Sequence, residues 1–312
     1  MSPYRKNDSS STSFIRVGLF VAIISGLFTF YNTFMSGKSE TPSVPVIQTT
    51  DQNSKIQDFP DVTDDADTDP EEDYLPTSTY GEIVKHRYYT LSYSEDDEQA
   101  EWVAYVLTKA RLEKPWVQRP DQFQADPKVS TGSAQWFDYK GSGYDRGHLA
   151  SAADMSFNET AMNESFYMSN MSPQARDFNK GIWKELEELA RDWAKKNKKL
   201  YVVSGPILSD GGKGKIAKKN ITIPNAYYKI LLDFTEPELK AIAFIVPNEV
   251  SYDPLFKYAV SIDEVEKKTG IDFFPNLLSK SEQEELEGQF NIDLWPFNKK
   301  KFELRVNQWN KD

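Results

Sequence analysis

Cysteine is absent from all 312 residues. The absence excludes disulfides, thiolate metal sites and a cysteine nucleophile. It leaves the compartment open, because such a chain folds alike in oxidising and reducing surroundings. Histidine is nearly absent too, with His86 and His148 the sole pair. A reaction that needs a neutral base near pH 7 therefore has two candidates. Positive charge is in deficit: 37 Lys and Arg stand against 48 Asp and Glu, a net of −11. That sum is wrong for a chain that must neutralise phosphates, but its distribution is uneven. Residues 1–75 hold 5 basic and 12 acidic side chains, a net of −7, and residues 76–312 hold 32 and 36, a net of −4.

Long apolar runs are scarce as well, and the one present stands near the start. Residues 17–37 carry no charge and include VGLFVAIISGLFTFY. Twenty-one uncharged residues suffice to cross a bilayer as a helix. Arg5, Lys6 and Arg16 precede the run, which places residues 1–16 on the cytoplasmic side. The competing reading is a cleaved signal peptide. In either case the body is exported, which predicts a bacterial envelope protein with a single-pass inner-membrane anchor, or a secreted one. Residues 51–73 then hold ten acidic residues and one Lys, so 38–75 is expected to be a disordered acidic linker. The folded unit is expected over 76–312.

Within that unit, 86–94 reads as a strand, 95–112 as a helix, and 130–155 as glycine-punctuated loops with a hairpin. Residues 179–199 read as a helix, with Ile182, Trp183, Leu186, Leu189, Ala190 and Trp193 on one face. Residues 200–208, 227–234 and 240–247 read as strands. Ser261 followed by Glu264 suggests a capping box, and Gly270 a helix stop. The mixture lacks a βαβ rhythm and predicts an α+β fold around a central antiparallel sheet.

Chemistry concentrates in GSGYDRGHLA, residues 141–150. In strand geometry Arg146 and His148 share a face and Asp145 takes the other. An Arg and a His aimed at one spot suit a phosphodiester, the first holding phosphate charge and the second deprotonating water. His86, between Lys85 and Arg87, reads as an ordinary surface or strand histidine. Lysines at 195, 196, 198 and 199, and at 213, 215, 218 and 219, form basic clusters that either guide a nucleic-acid backbone or are merely solvated.

YDRGHLA, then YMSNMSPQ (167–174), then FNKGIWKELE (178–187) resembles the DNA/RNA non-specific endonucleases of the ββα-metal (His-Me finger) superfamily. The resemblance runs from about 84 to 275. One departure is Ser151, where relatives usually have proline. The resemblance implies a metal-dependent endonuclease acting on DNA and RNA without sequence preference and leaving 5′-phosphates. It implies His148 as general base, Asn179 as the protein ligand of one Mg²⁺ (with Mn²⁺ able to substitute), and Glu187 as holder of metal-bound water. Arg146 and Arg191 are implied to contact phosphate, Arg119 to do so on a looser alignment, and Asn170 to orient the hairpin or the water shell. It admits a homodimer and an inhibitor partner. The alternative of another class is a non-catalytic nucleic-acid-binding envelope protein on the same fold.

Overall fold

The computed structural model describes residues 72–311, apart from 121 and 217–219. The apolar segment 17–37 and nearly all of the linker lie outside the described residues. Among the described residues no helix is long and apolar enough to cross a membrane.

Strands β1 (Glu82–Lys85), β2 (Thr90–Ser94) and β3 (Gln99–Thr108) form an antiparallel meander, and α1 (Lys109–Glu113) follows. The helix expected over 95–112 is therefore a turn, a long strand and one short helix. Glu98 takes a positive φ of 53° in the β2–β3 turn. Trp102 and Ala104 face one core while Val103, Tyr105 and Leu107 face the other. A strand buried on both faces shows no polar alternation, which is why its pattern was mistaken for a helix.

Next come β4 (Tyr144–His148), α2 (Glu159–Glu164) and β5 (Met171–Ala175). A wide helical turn at Phe178–Trp183 leads into α3 (Lys184–Asn197). The body continues through β6 (Lys199–Pro206), the small pair β7 (Lys215–Ile216) and β8 (Ile221–Thr222), β9 (Ala226–Asp233), β10 (Lys240–Pro247) and β11 (Ala259–Val260). It closes with α4 (Ile262–Thr269), α5 (Lys280–Leu286) and α6 (Lys299–Leu304). Ser261 caps α4 by accepting from Glu264 N, and Gly270 ends it at φ 77°.

The main sheet has seven strands in the order β1-β2-β3-β6-β9-β10-β11, antiparallel at every pairing. Helix α3 packs Leu186, Leu189 and Trp193 on one face, against Tyr105, Val202, Leu231 and Phe244. On the other face Ile262 and Val265 of α4 join Phe273, Trp102, Ile230 and Leu232. Each such side chain removed from water contributes about 1.5–3 kcal/mol. The sheet thus serves as a rigid floor with α3 laid on it.

The C-terminal arm braces α3. Arg305, fully buried, donates from Nε to Glu185 Oε2 at 2.5 Å and from Nη2 to the Asp253 carbonyl at 2.6 Å, and it also bonds the Ser251 carbonyl. Asn310 Nδ2 donates to that same Ser251 oxygen at 2.7 Å.

Candidate active site

The site is a two-stranded ribbon beside the start of a helix. Strand β4 pairs antiparallel with β5, so Arg146 lies opposite Pro173, Gly147 opposite Ser172 and His148 opposite Met171. Gly147 is required here. A Cβ on it would lie 2.1 Å from the Gln174 side chain, which crosses the ribbon at that point. Trp183 Nε1 donates to the His148 carbonyl at 3.3 Å and ties the helix to the strand.

Arg146 and His148 do share a face. The Phe123 ring lies 4.4 Å from the Arg146 guanidinium and 6.0 Å from the His148 ring. Phe166 meets His148 edge-on at 4.9 Å and carries the Arg119 guanidinium at 4.9 Å on its ring. Arg119 is held by the segment that runs alongside 166–168: Met168 N donates to the Gln124 carbonyl at 2.8 Å, and Gln124 N to the Phe166 carbonyl at 3.2 Å. Burial and the Arg119 charge push His148 down to about 3. The imidazole is therefore neutral throughout the neutral range, the form a proton acceptor needs. Its Nε2 is enclosed and has no hydrogen-bond partner among the described residues.

Asp145 points to the other side, where its Oδ2 accepts from Asn179 Nδ2 at 3.1 Å. That contact occupies the amide nitrogen, so the amide oxygen is the end offered to a ligand. Asn179 lies inside the wide turn 178–183 rather than at a helix cap. The regular helix expected from 179 therefore begins five residues later. Gly181 breaks the turn with non-helical φ −100° and ψ −109°, so the chain kinks between Asn179 and α3. A cleft of about 490 Å³ opens here, lined by Phe123, Trp136, Lys140, Tyr144, Asp145, Arg146 and Asn179 among others. Basic groups and aromatic rings in one cleft suit phosphate and base together.

Glu187 lies deeper along the same helix. Ser151 Oγ donates to its Oε2 at 3.3 Å, so the serine that departs from the family pattern touches a site residue. Burial pushes Glu187 up to about 7, against the opposing pull of Lys229 and Arg191. Arg191 Nη1 donates to Asp154 Oδ1 at 2.8 Å, and Tyr105 OH to Asp154 Oδ2 at 2.7 Å. Arg191 is thus spoken for by Asp154 in this arrangement, where the resemblance implied a phosphate contact. Lys229, which the sequence reading did not single out, is fully buried on β9 with no hydrogen-bond partner for Nζ among the described residues. Its Nζ lies 4.9 Å from the Trp183 ring, and burial lowers its pKa despite the charges of Glu187 and Asp154.

Of the two roles implied for Asn170, orienting the hairpin is the one its contacts match. Its Oδ1 accepts from Ala150 N at 2.8 Å, and its Nδ2 donates to the Ala150 and Ser165 carbonyls at 3.0 and 2.8 Å. Both ends of the fully buried amide are used by backbone. It positions the chain just after His148 and leaves no atom for a water shell. His86 also differs from its sequence reading. Its Nε2 lies 2.8 Å from Asp126 Oδ2 and its Nδ1 3.7 Å from Glu164 Oε1, with the ring fully enclosed. Ser169 donates to the same Asp126 oxygen. This buried pair anchors the segment that carries Arg119 and Phe123.

The lysine clusters contribute little to the site. Lys195, Lys196, Lys198 and Lys199 stand at the far end of α3, about 20 Å from its start. Lys213 and Lys215 bond the Asn248 and Asp96 carbonyls, and Lys218 and Lys219 lie outside the described residues.

The side chains present fit a divalent ion: Asn179 in the turn offers one neutral oxygen, and Glu187 in α3 a carboxylate. Residues 69–280 match the family model of the DNA/RNA non-specific endonucleases. The chain belongs to this family. Over 206 residues it is 35% identical to the human protein named mitochondrial nuclease EXOG, a match covering 61% of this chain and 56% of that one. It is 34% identical over 207 residues to a nuclease of Nostoc sp., covering 62% and 73%. A solved EndoG/EndoGI complex, described as showing the mechanism of EndoG inhibition, shares the fold at a TM-score of 0.60 and 29% identity, covering 66% of this chain and 90% of that chain. The family places the chain among the nuclease hydrolases.

Proposed function

We propose that this protein is a Mg²⁺-dependent endonuclease that cuts DNA and RNA without reading sequence and leaves 5′-phosphates. We further place it in a bacterial envelope, tethered through residues 17–37 with the nuclease unit outside the cytoplasm. The apolar run and its preceding basic residues support the tether. The observation that carries the activity is His148 beside Arg146 and Arg119, three residues along β4 from Asp145, which holds Asn179.

In this reading Arg146 and Arg119 take the phosphate oxygens, and His148 removes the proton from the attacking water. The water oxygen forms the new bond to phosphorus, the bond to the 3′ oxygen breaks, and phosphate stays on the 5′ end of the departing fragment. Burial, and after it the Arg119 charge, holds His148 down; arrival of phosphate offsets the second of these and makes the imidazole a stronger base when substrate is in place. Asn179 would hold a divalent ion, which would supply positive charge to the phosphate and the leaving oxygen when bound. Asp145 fixes the Asn179 amide, and Asn170 fixes the strand end. Phosphate contacts dominate, so cutting is insensitive to sequence.

End-group analysis tests this directly. Full-length protein with plasmid DNA or RNA is expected to cleave in Mg²⁺ and to stop in EDTA. The fragments are expected to join with ligase without prior kinase treatment. Fragments carrying 3′-phosphates, or cleavage that persists in EDTA, contradict it.

A further inference from the structure

On the sheet face opposite α3, three carboxylates converge: Asp263 of α4, Glu266 one turn on, and Glu287, which caps the end of α5. One oxygen from each lies within 4.8 Å of the other two. Glu287 is only 5% exposed, and its Oε1 is enclosed without a hydrogen-bond partner among the described residues. Among the described residues no basic group offsets it. The charges that act on it are those of Glu266, Asp272 and Asp263, all of one sign. A buried carboxylate beside two others, with one oxygen left without a donor, is costly unless a cation shares the site.

The geometry points to a second divalent-cation site, of the calcium kind, formed by Asp263, Glu266 and Glu287 and separate from the nuclease centre. The three oxygens stand close enough together for one divalent ion to bridge them. Three carboxylates also match the hard-oxygen donor set that Ca²⁺ prefers.

The backbone at the cluster suits a clamp. Asp263 N donates to the Glu287 carbonyl at 3.1 Å, which already ties α4 to the end of α5. Phe273 N donates to Glu266 Oε1 at 2.9 Å. The neighbouring Asp272 pairs with Thr77 through two backbone bonds of 2.8 and 3.1 Å, so the first described segment is laid down beside the cluster. An ion there fastens α4, α5 and, through Asp272, the entry of the chain into the fold. The role is structural and does not depend on the nuclease reading.

The test uses full-length protein carrying Asn179→Ala, which removes the implied ligand of the nuclease centre. Thermal unfolding is followed in EDTA and in Ca²⁺, and calorimetry counts the bound ions. One Ca²⁺ per chain is expected, with a rise of roughly 5–10 °C in melting temperature at calcium a hundredfold above its Kd. Adding Glu287→Gln, or separately the exposed Asp263→Asn, is expected to abolish the rise and weaken Ca²⁺ binding at least tenfold. In EDTA the Glu287→Gln protein is expected to melt no lower than its parent, because a repulsion has been removed. No calcium-dependent rise in the Asn179→Ala parent, or an equal rise with Asp263→Asn present, overturns the proposal.

Discussion

Lys229 is the residue on which the site leans most without advertising it. It stands in AYYKILLD, where a lone lysine in an apolar strand has no motif around it. It is nonetheless fully buried, near enough to Glu187 and Asp154 for each to raise its pKa against burial. Its charge in turn keeps Glu187 from rising above about 7. Replacing it with methionine preserves length and removes the charge. Glu187 then favours its protonated form at neutral pH and holds cation-bound water less well. We expect Lys229→Met to cost about 10–100-fold in activity, the range for residues that support a metal ligand. A matching rise in the Mg²⁺ concentration for half-maximal rate would separate this from simple unfolding. Unchanged rate and Mg²⁺ dependence would remove Lys229 from the account. Asn170 carries the converse lesson. It occupies a family position yet acts through backbone, since every polar atom of its side chain is committed to Ala150 and Ser165.

At the scale of elements, the His86 pair shows how a loop is held for catalysis. Burial alone would lower His86, but the Asp126 and Glu164 carboxylates outweigh it and raise it above 6.5. Burial would raise Asp126 and Glu164, and His86 reverses both, to below 3.8 and 4.5. The raised histidine contributes stability that is complete below pH 6.5 and is lost as pH rises through its folded value. The depressed carboxylates lose theirs as pH falls below about 4. Urea unfolding of His86→Gln against the parent should therefore show its largest deficit between pH 5 and 6, about 3–5 kcal/mol for breaking a buried pair. The deficit should shrink as pH climbs toward 9. A deficit flat from pH 5 to 9 would mean that His86 is held by packing alone. None of this was legible beforehand, because Asp126 and Glu164 are 40 and 78 positions from His86 and no local pattern links them. Contacts within one element were legible. The strands at 200–208, 227–234 and 240–247, and the Ser261 cap, fall where periodicity and turn residues put them. Strand β3 did not, because burial on both faces erases the alternation that marks a strand.

Across the whole molecule the sheet divides labour. One face carries α3, the ribbon and the cleft; the other carries α4, α5 and the carboxylate trio. The chain's acidity is greatest before the folded unit, which is left at a net −4. A weakly charged body with Arg146 at its cleft and Arg119 near His148 suits an enzyme that must release its product, since affinity resting on few phosphate contacts falls only gently with salt. The central claim is that His148 removes the proton from water. Its most direct test compares His148→Ala with the parent in Mg²⁺, measuring single-turnover cleavage of a DNA duplex and binding of the same duplex in parallel. The account predicts a loss of at least about 10²-fold in the cleavage rate, the usual contribution of a positioned base, with binding essentially unchanged. Cleavage at the parental rate by a folded His148→Ala protein would contradict it.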